Sequence, residues 1–385
     1  MAISRRSLLR QISVAAAGAA AVPTLAEASM TAAFGEAATA APSKAGAGPL
    51  RLDRNENAYG PSPAAMAAMQ DAVRAAASRY PAREADALRD ALARVHRVSP
   101  GRIVLGCGAG EILDIAAKTF LGVRKKLIVA QPTFDLMADC ARATGAEVVA
   151  VPLTRDYVHD LGAMLERSDA STGLVYICNP NNPTGTLTPR RDLEAFVRQL
   201  PERAFVLIDE AYHQYIDDSP DAASFVDRPV DSDRVIVVRS FSTIFGLAGL
   251  RIGYAVAAPQ TARLLAALRV PWNVNVVAAS GALASLDDAE HVRRSVERNI
   301  DDHQEFVNQC HARMLKPIDS VANFVMMTTG APAVQVIEHF RKNNVLIAPP
   351  IPGLDTFIRV SLGTRADMNE FWRVWDLMPM RRTSM

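Results

Sequence analysis

Lysine is scarce in this chain. Only six occur in 385 residues, at Lys44, Lys118, Lys125, Lys126, Lys316 and Lys342, so the basic side chains are mostly arginine. Chemistry that needs a primary amine has few places to find one. An excess of either charge is also lacking: 42 basic against 41 acidic residues leave a net charge of +1, and no global field favours nucleic acid or an anionic membrane surface. The four cysteines, Cys107, Cys140, Cys178 and Cys310, form no C-x-x-C pair, which removes the usual signature of a zinc or dithiol redox site. They read as free, mostly buried thiols, although an exported protein also permits a disulfide. No internal repeat and no membrane-spanning run follows the N-terminal segment. What is present is an ordinary globular composition, 49% hydrophobic and 22% charged, with material for a large core and two or three structural units.

The N-terminus has its own pattern. Ser4-Arg5-Arg6-Ser7-Leu8-Leu9-Arg10 is followed by apolar and small residues from Ile12 to Val22, then by Ala26-Glu27-Ala28, an A-x-A-type cleavage signature. Residues 1–28 resemble a twin-arginine signal, which directs export of already folded proteins through the twin-arginine machinery to the periplasm. The bland alternative is a basic, disordered start to a cytoplasmic protein. Residues 29–49 are Ala/Gly/Ser-rich and read as a flexible linker.

Beyond it, helical stretches alternate with short apolar runs. Ala64–Ala77, Ala85–Val95, Gly110–Phe120, Asp135–Thr144 and Arg190–Gln199 have helical character. The apolar runs are Ile103–Leu105, Leu127–Val129, Glu147–Val151, Leu174–Ile177, Ala204–Ile208 and Val235–Val238. This alternation predicts an α/β fold with a mostly parallel sheet, whose ligands sit beyond the carboxyl ends of the strands. After Pro271 a long helix over Asp288–Met314 leads to strands at Phe324–Met327, Val345–Ile347 and Phe357–Ser361, as in a smaller α+β domain. The expected divisions are an N-terminal arm over 50–75, a large domain over 76–270 and a small C-terminal domain over 271–385.

Five segments carry the chemistry. Gly106-Cys107-Gly108-Ala109-Gly110-Glu111 follows a strand and opens a helix, where glycines admit an anion and the helix end supplies N–H donors. On its own such a turn is commonplace. Asn179-Pro180-Asn181-Asn182-Pro183-Thr184-Gly185, Asp209-Glu210-Ala211-Tyr212 and Ser240-Phe241-Ser242-Thr243-Ile244-Phe245-Gly246-Leu247-Ala248-Gly249-Leu250-Arg251-Ile252-Gly253-Tyr254 each follow a strand as well. Phe357-Ile358-Arg359-Val360-Ser361-Leu362-Gly363-Thr364 lies near the C-terminus.

This ordered set resembles the class I/II aminotransferases of fold type I, dependent on pyridoxal 5'-phosphate (PLP). It is most similar to the histidinol-phosphate aminotransferase-like branch, whose N-terminal motif Leu52-Asp53-Arg54-Asn55-Glu56-Asn57-Ala58-Tyr59-Gly60 resembles. The likeness runs from about Leu52 to the C-terminus. It implies that Asp209 faces the pyridine nitrogen and keeps it protonated, making the ring an electron sink. Asn182 and Tyr212 would hydrogen-bond the phenolic oxygen, and Phe134 would stack on the ring. Backbone donors at Ala109 and Gly110, with Glu111 in the same turn, the hydroxyls of Ser240 and Ser242, and the Arg251 guanidinium would hold the phosphate. Tyr59 would reach the phosphate of a neighbouring subunit, which implies a homodimer with shared sites. Arg359 would hold the substrate carboxylate of an amino acid or 2-oxo acid, with Asn182 beside it.

The resemblance fails at one position. Where the family has Ser-Phe-Ser-Lys, this chain has Thr243, with both flanks intact. That lysine holds PLP as a Schiff base and then moves the proton at the substrate α-carbon. A threonine hydroxyl is neutral, short and a poor base, and no other lysine stands at the carboxyl end of a predicted strand. Activity is therefore expected to be lost or strongly reduced, with PLP held without a lysine link. Three alternatives follow: a pseudoenzyme that binds PLP or a PLP–amine adduct, an altered reaction with Tyr212 or His213 as base, or a substitution particular to this chain. A second departure concerns substrate. The branch has an arginine for substrate phosphate where this chain has Ala348, followed by Pro349-Pro350, which favours an amino acid carboxylate over histidinol phosphate.

Overall fold

The computed structural model describes residues 48–216, 222–226 and 232–379. The signal-like segment and nearly all of the linker lie outside the described residues. Residues Pro49–Met385 form one compact unit. Its strands are β1 (Leu50–Leu52), β2 (Ile103–Gly106), β3 (Lys126–Gln131), β4 (Glu147–Pro152), β5 (Thr172–Cys178), β6 (Phe205–Asp209), β7 (Val235–Ser240), β8 (Gly253–Ala257), β9 (Lys316–Pro317), β10 (Phe324–Thr328), β11 (Val345–Ile347) and β12 (Phe357–Ser361).

The central sheet has seven strands in the order β2-β8-β7-β6-β5-β3-β4. Pairings among β3 to β7 are parallel, and β8 runs antiparallel to β7 and β2. The predicted parallel α/β architecture is thus the one observed. Strand periodicity explains how this sheet supports two cores. In β5, Val175 and Ile177 face one cluster while Leu174, Tyr176 and Cys178 face the other; in β7, Val235 and Val237 oppose Ile236 and Val238. Because both faces are covered, these strands read as continuous apolar runs.

The helices that matter to the site are α1 (Pro63–Ala76), α2 (Ala82–Val95), α3 (Ala109–Phe120), α4 (Leu136–Ala143), α5 (Leu161–Glu166), α6 (Arg190–Gln199), α7 (Pro259–Ala267), α8 (Val276–Asp287) and α9 (Ala289–Ala312). Helices α1, α2, α6 and α8 cover one face of the sheet, and α3, α4 and α7 the other. Helix α1 starts where Ser62 Oγ accepts the Ala65 N–H at 3.1 Å and Pro63 takes the first turn. The long helix expected over Asp288–Met314 is α9. No helix among the described residues is long and apolar enough to cross a membrane.

Two smaller sheets complete the unit. The antiparallel sheet β12-β10-β9 and the parallel pair β1-β11 share a core of Leu52, Phe306, Phe340, Val360, Phe371 and Trp372. Pairing of Leu50–Leu52 with Val345–Ile347 carries the N-terminal arm across to the C-terminal segment. Asp53–Tyr59 is delivered to the edge of the central sheet by that strand.

Candidate active site

Strands β2, β3, β5, β6 and β7 are parallel, so their carboxyl ends open on one edge. The Gly106–Glu111 turn, Pro132-Thr133-Phe134, the Asn179–Gly185 turn, Asp209 and Ser240 all leave the sheet there.

Asp209 ends β6 and is 3% exposed. Its Oδ2 accepts from the Tyr176 hydroxyl at 2.9 Å and its Oδ1 from the Ala211 N–H at 3.1 Å. Those donors favour the charged form, yet burial prevails and pushes the carboxyl up to about 6. No cationic side chain pairs with it among the described residues. The next residue differs sharply. Glu210 makes a buried ion pair with Arg239 at 2.7 Å and accepts from Ser224 Oγ and the Phe225 N–H. Burial opposes its charge, but Arg239 and these donors hold the carboxyl below its ordinary value. Removing one partner of such a pair costs about 3–5 kcal/mol, so the turn carrying Asp209 is firmly anchored.

Tyr212 and Arg359 converge from opposite sides. Asn55 Nδ2 donates to the Tyr212 hydroxyl at 3.0 Å and Asn182 Nδ2 approaches it at 3.4 Å. Burial pushes the phenol up to about 12. Arg359 Nη1 donates to Asn182 Oδ1 and Nη2 to the Asp53 carbonyl at 2.8 Å. Its Nε is buried without a hydrogen-bond partner, and no carboxylate forms an ion pair with the guanidinium among the described residues. Arg359 is thus a buried cation with an unused donor, suited to a carboxylate.

The anion cradle lies beside them. Gly108 has φ +78°, and a Cβ there would stand 2.3 Å from Arg251 Nη2, so only glycine lets the guanidinium lie over the start of α3. Arg251 Nη1 donates to the Ala248 carbonyl at 3.1 Å and lies 3.5 Å from Ser242 Oγ; Ser240 Oγ accepts the Ser242 N–H at 3.0 Å. Ala109 and Gly110 are the first residues of α3, with N–H groups at its N-terminus. Glu111 braces the loop: its Oε2 accepts from the Cys107 N–H and from Asn273 Nδ2. Phe134 is exposed at the end of β3. Tyr59 donates its hydroxyl to Asp302 Oδ2 of the same chain at 2.9 Å, with Arg298 over its ring. A cavity of about 310 Å³ opens between the arm and the loop after β7, bordered by Asn57, Ser242, Gly249 and Ser361.

Thr243 sits inside this edge, 6% exposed, and its hydroxyl donates to the Ala211 carbonyl at 2.7 Å. The lysines among the described residues lie elsewhere. Lys118 pairs with Asp114 on α3, Lys126 begins β3 at the opposite edge and pairs with Asp169, and Lys342 ends a helix beside Glu338.

Sequence reasoning missed three contributors. Asn55 comes from the arm with φ +55°, which its place in the polar run Asp53–Asn57 only hints at. Ser361 Oγ accepts the Asn55 N–H at 2.7 Å and fixes that residue. Tyr176, a hydroxyl within the apolar strand β5, supports Asp209 from below.

Known proteins match this architecture. The chain matches the family model described as aminotransferase class I and II over residues 47–374. It is 37% identical to the histidinol-phosphate aminotransferase of Moorella thermoacetica over 330 residues, 84% of each chain. It is also 37% identical to that of Methylobacillus flagellatus over 337 residues, 87% of this chain and 90% of the relative. Among solved structures, the histidinol-phosphate aminotransferase of Sinorhizobium meliloti in complex with pyridoxal-5'-phosphate superposes with a TM-score of 0.80 at 26% identity, covering 86% of this chain and 92% of that one. With its sheet order, strand-end site and this match, the chain belongs to the class I and II aminotransferase family.

Proposed function

We propose that this protein holds PLP without a covalent link and is an aminotransferase-like protein whose amino-group transfer between an amino acid and a 2-oxo acid is lost or strongly reduced. The observation that carries the reading is Thr243: a hydroxyl donating to the Ala211 carbonyl occupies the position of the family's lysine, and no lysine among the described residues stands at the carboxyl edge. The residues fit the group in every other respect. Asp209 is a buried carboxylate lacking a cationic partner, which a protonated ring nitrogen would supply.

When bound, PLP supplies an electrophilic carbon for amines and a ring that withdraws electrons from the substrate α-carbon. Asp209 keeps a proton on the ring nitrogen, and Tyr176 and the Ala211 N–H hold its carboxylate in place. Tyr212, positioned by Asn55 and Asn182, donates to the phenolic oxygen. Phe134 covers the ring. The N–H groups that open α3, Ser240, Ser242 and Arg251 hold the phosphate. Arg359 holds the substrate carboxylate. Thr243 does not stand ready to move the α-proton, since its hydroxyl is neutral and engaged with a carbonyl.

The cradle has a direct test. Gly108→Ala puts a methyl group into Arg251 and places a side chain at a left-handed φ. It is expected to weaken PLP binding, read by fluorescence titration, by about tenfold or more. Unchanged affinity would remove Arg251 from the phosphate site.

Substrate choice follows the same geometry. Ala348 is buried, and its N–H bonds the Arg359 carbonyl at 3.2 Å, so the residue beside the carboxylate site adds no second cation for a phosphate dianion. An amino acid is therefore favoured over histidinol phosphate, although the relatives bear that name. Part of the same proposal are export by the twin-arginine route to the periplasm and a homodimer in which Tyr59 serves the neighbouring site. Folding around a phosphorylated cofactor made in the cytoplasm suits that route.

The deciding experiment is borohydride reduction of the PLP-loaded protein, then denaturation and gel filtration. All cofactor is expected in the small-molecule fraction. A pyridoxyl group recovered on any lysine peptide would overturn the reading.

A further inference from the structure

We infer that Tyr176 is a positioning residue that sets where the proton shared by Asp209 and the cofactor's ring nitrogen resides: its buried hydroxyl keeps the carboxylate ionised, so that the nitrogen carries the proton. The inference rests on the reading that Asp209 faces the ring nitrogen of bound PLP.

The sheet register brings the two side chains together. In the parallel pair of β5 and β6, Tyr176 stands opposite Leu207 and Cys178 opposite Asp209. Residues two apart on a strand share a face, so the Tyr176 ring lies on the face of Asp209, one step back from the strand end. It is long enough to bring its hydroxyl to Asp209 Oδ2 at 2.9 Å. Tyr176 is fully buried, and Leu174, Leu207 and Val238 belong to the same core. The phenylalanine ring would fill this place as well, whereas a hydroxyl there costs free energy unless it finds a partner. Asp209 is the acceptor that the structure gives it.

The other ionisable groups around Asp209 are committed elsewhere. Cys178 Sγ donates to the Pro180 carbonyl at 3.3 Å, and the Tyr212 hydroxyl accepts from Asn55. Glu210, on which His213 also acts, pairs with Arg239 of β7. The helices over this face meet the strands with apolar residues such as Leu113, Met137 and Leu265. Tyr176 and the Ala211 N–H are therefore the donors to Asp209 among the described residues, and of the two only the hydroxyl belongs to a side chain. Burial pushes the Asp209 carboxyl up to about 6, and the Tyr176 bond works against that rise. Burial also pushes the Tyr176 phenol well above its ordinary value, so it stays a neutral donor wherever Asp209 titrates.

The test is PLP affinity in the parent and in Tyr176→Phe, by fluorescence titration at pH 5 and at pH 8. Phenylalanine keeps the ring and removes the donor, and a hydrogen bond to an ionised group is worth about one pH unit or more in a carboxyl's titration. At pH 8 Asp209 is ionised in both proteins, and their affinities should agree within about twofold. At pH 5 binding must first ionise Asp209, which is harder without the donor, so the variant should bind about tenfold more weakly. Taking the ratio of the two proteins at each pH cancels the titration of PLP itself, including its phosphate near about 6. Damage to packing would lower affinity equally at both pH values. Tyr176→Met, a second filling side chain without a donor, should give the same pair of ratios if the first variant does not fold. A ratio that is the same at pH 5 and pH 8, while Asp209→Asn still loses affinity, would overturn the inference and leave the cofactor reading intact. A parent protein that binds no PLP at either pH would overturn both.

Discussion

Thr243→Lys is expected to retain PLP through denaturation after borohydride reduction and to transaminate at least about 10²–10⁴-fold faster than the parent. The lower bound is the typical contribution of a general base; the amine's exchange chemistry adds to it. The surrounding loop does not depend on the threonine side chain. Phe241 N–H bonds the Ile252 carbonyl at 3.2 Å, Gly246 N–H the Thr243 carbonyl at 2.9 Å and Leu247 N–H the Phe241 carbonyl at 3.0 Å, all backbone contacts that lysine keeps. Gly246 is held at φ +67° against Gly60, where a Cβ would lie 2.4 Å from the Gly60 carbonyl carbon. What lysine loses is one hydrogen bond to Ala211, worth about 1 kcal/mol. Thr243→Ala is the control. It should match the parent in rate, because the hydroxyl is no base. A lysine variant no faster than the parent across a panel of amino acids would sink the aminotransferase reading, and a dead alanine variant would give Thr243 a catalytic role.

Much of this was legible in the sequence, for definite reasons. Strands β2, β3, β5, β6 and β7 are buried on both faces and read as apolar runs ending in glycine, proline or polar residues. The motifs follow those runs, so topology alone gathers Gly108, Phe134, Asn182, Asp209 and Ser240 on one edge. Strand β8 was not legible: Gly253–Ala257 begins inside the motif that runs from Ser240 to Tyr254, so no turn sets it apart as a strand. Helix α8 escaped for another reason. Val276–Asp287 is apolar or small nearly all round, so it shows no stripe; it packs against α1 and α2 and is buried along much of its length. The pairing of Leu50–Leu52 with Val345–Ile347 joins distant segments and leaves no local trace.

The site shows the same division. Residues in strand-end turns announced themselves, whereas residues reaching in from elsewhere did not. Asn55 arrives with the arm, and Tyr176 points from within a strand toward Asp209. Glu111 illustrates the limit of motif position: it stands in the phosphate turn, but its carboxylate serves the Cys107 N–H and Asn273. A carboxylate at a helix N-terminus is favourable there, and it stabilises the loop rather than the anion.

Asp209→Asn is expected to stabilise the cofactor-free protein while weakening PLP binding about a hundredfold. In the folded state the carboxyl titrates at about 6, against 3.8 for an unburied one. The folded state therefore holds this proton more tightly than the unfolded state, and stability falls as pH rises from about 4 to about 6, then stays level. Two pKa units correspond to roughly 3 kcal/mol, present as a penalty at pH 8 and absent below pH 4. Asparagine carries no such charge. Urea denaturation should place the variant above the parent by up to about 3 kcal/mol at pH 8 and level with it at pH 4. The order reverses with PLP, since a protonated ring nitrogen facing Asp209 removes the penalty in the parent and finds no anion in the variant. The same 3 kcal/mol then appears as the roughly hundredfold loss of affinity. A parent protein whose stability does not change between pH 4 and pH 8 relative to the variant would mean that Asp209 is not a strained, buried charge. Undiminished PLP affinity in the variant would separate Asp209 from the cofactor altogether.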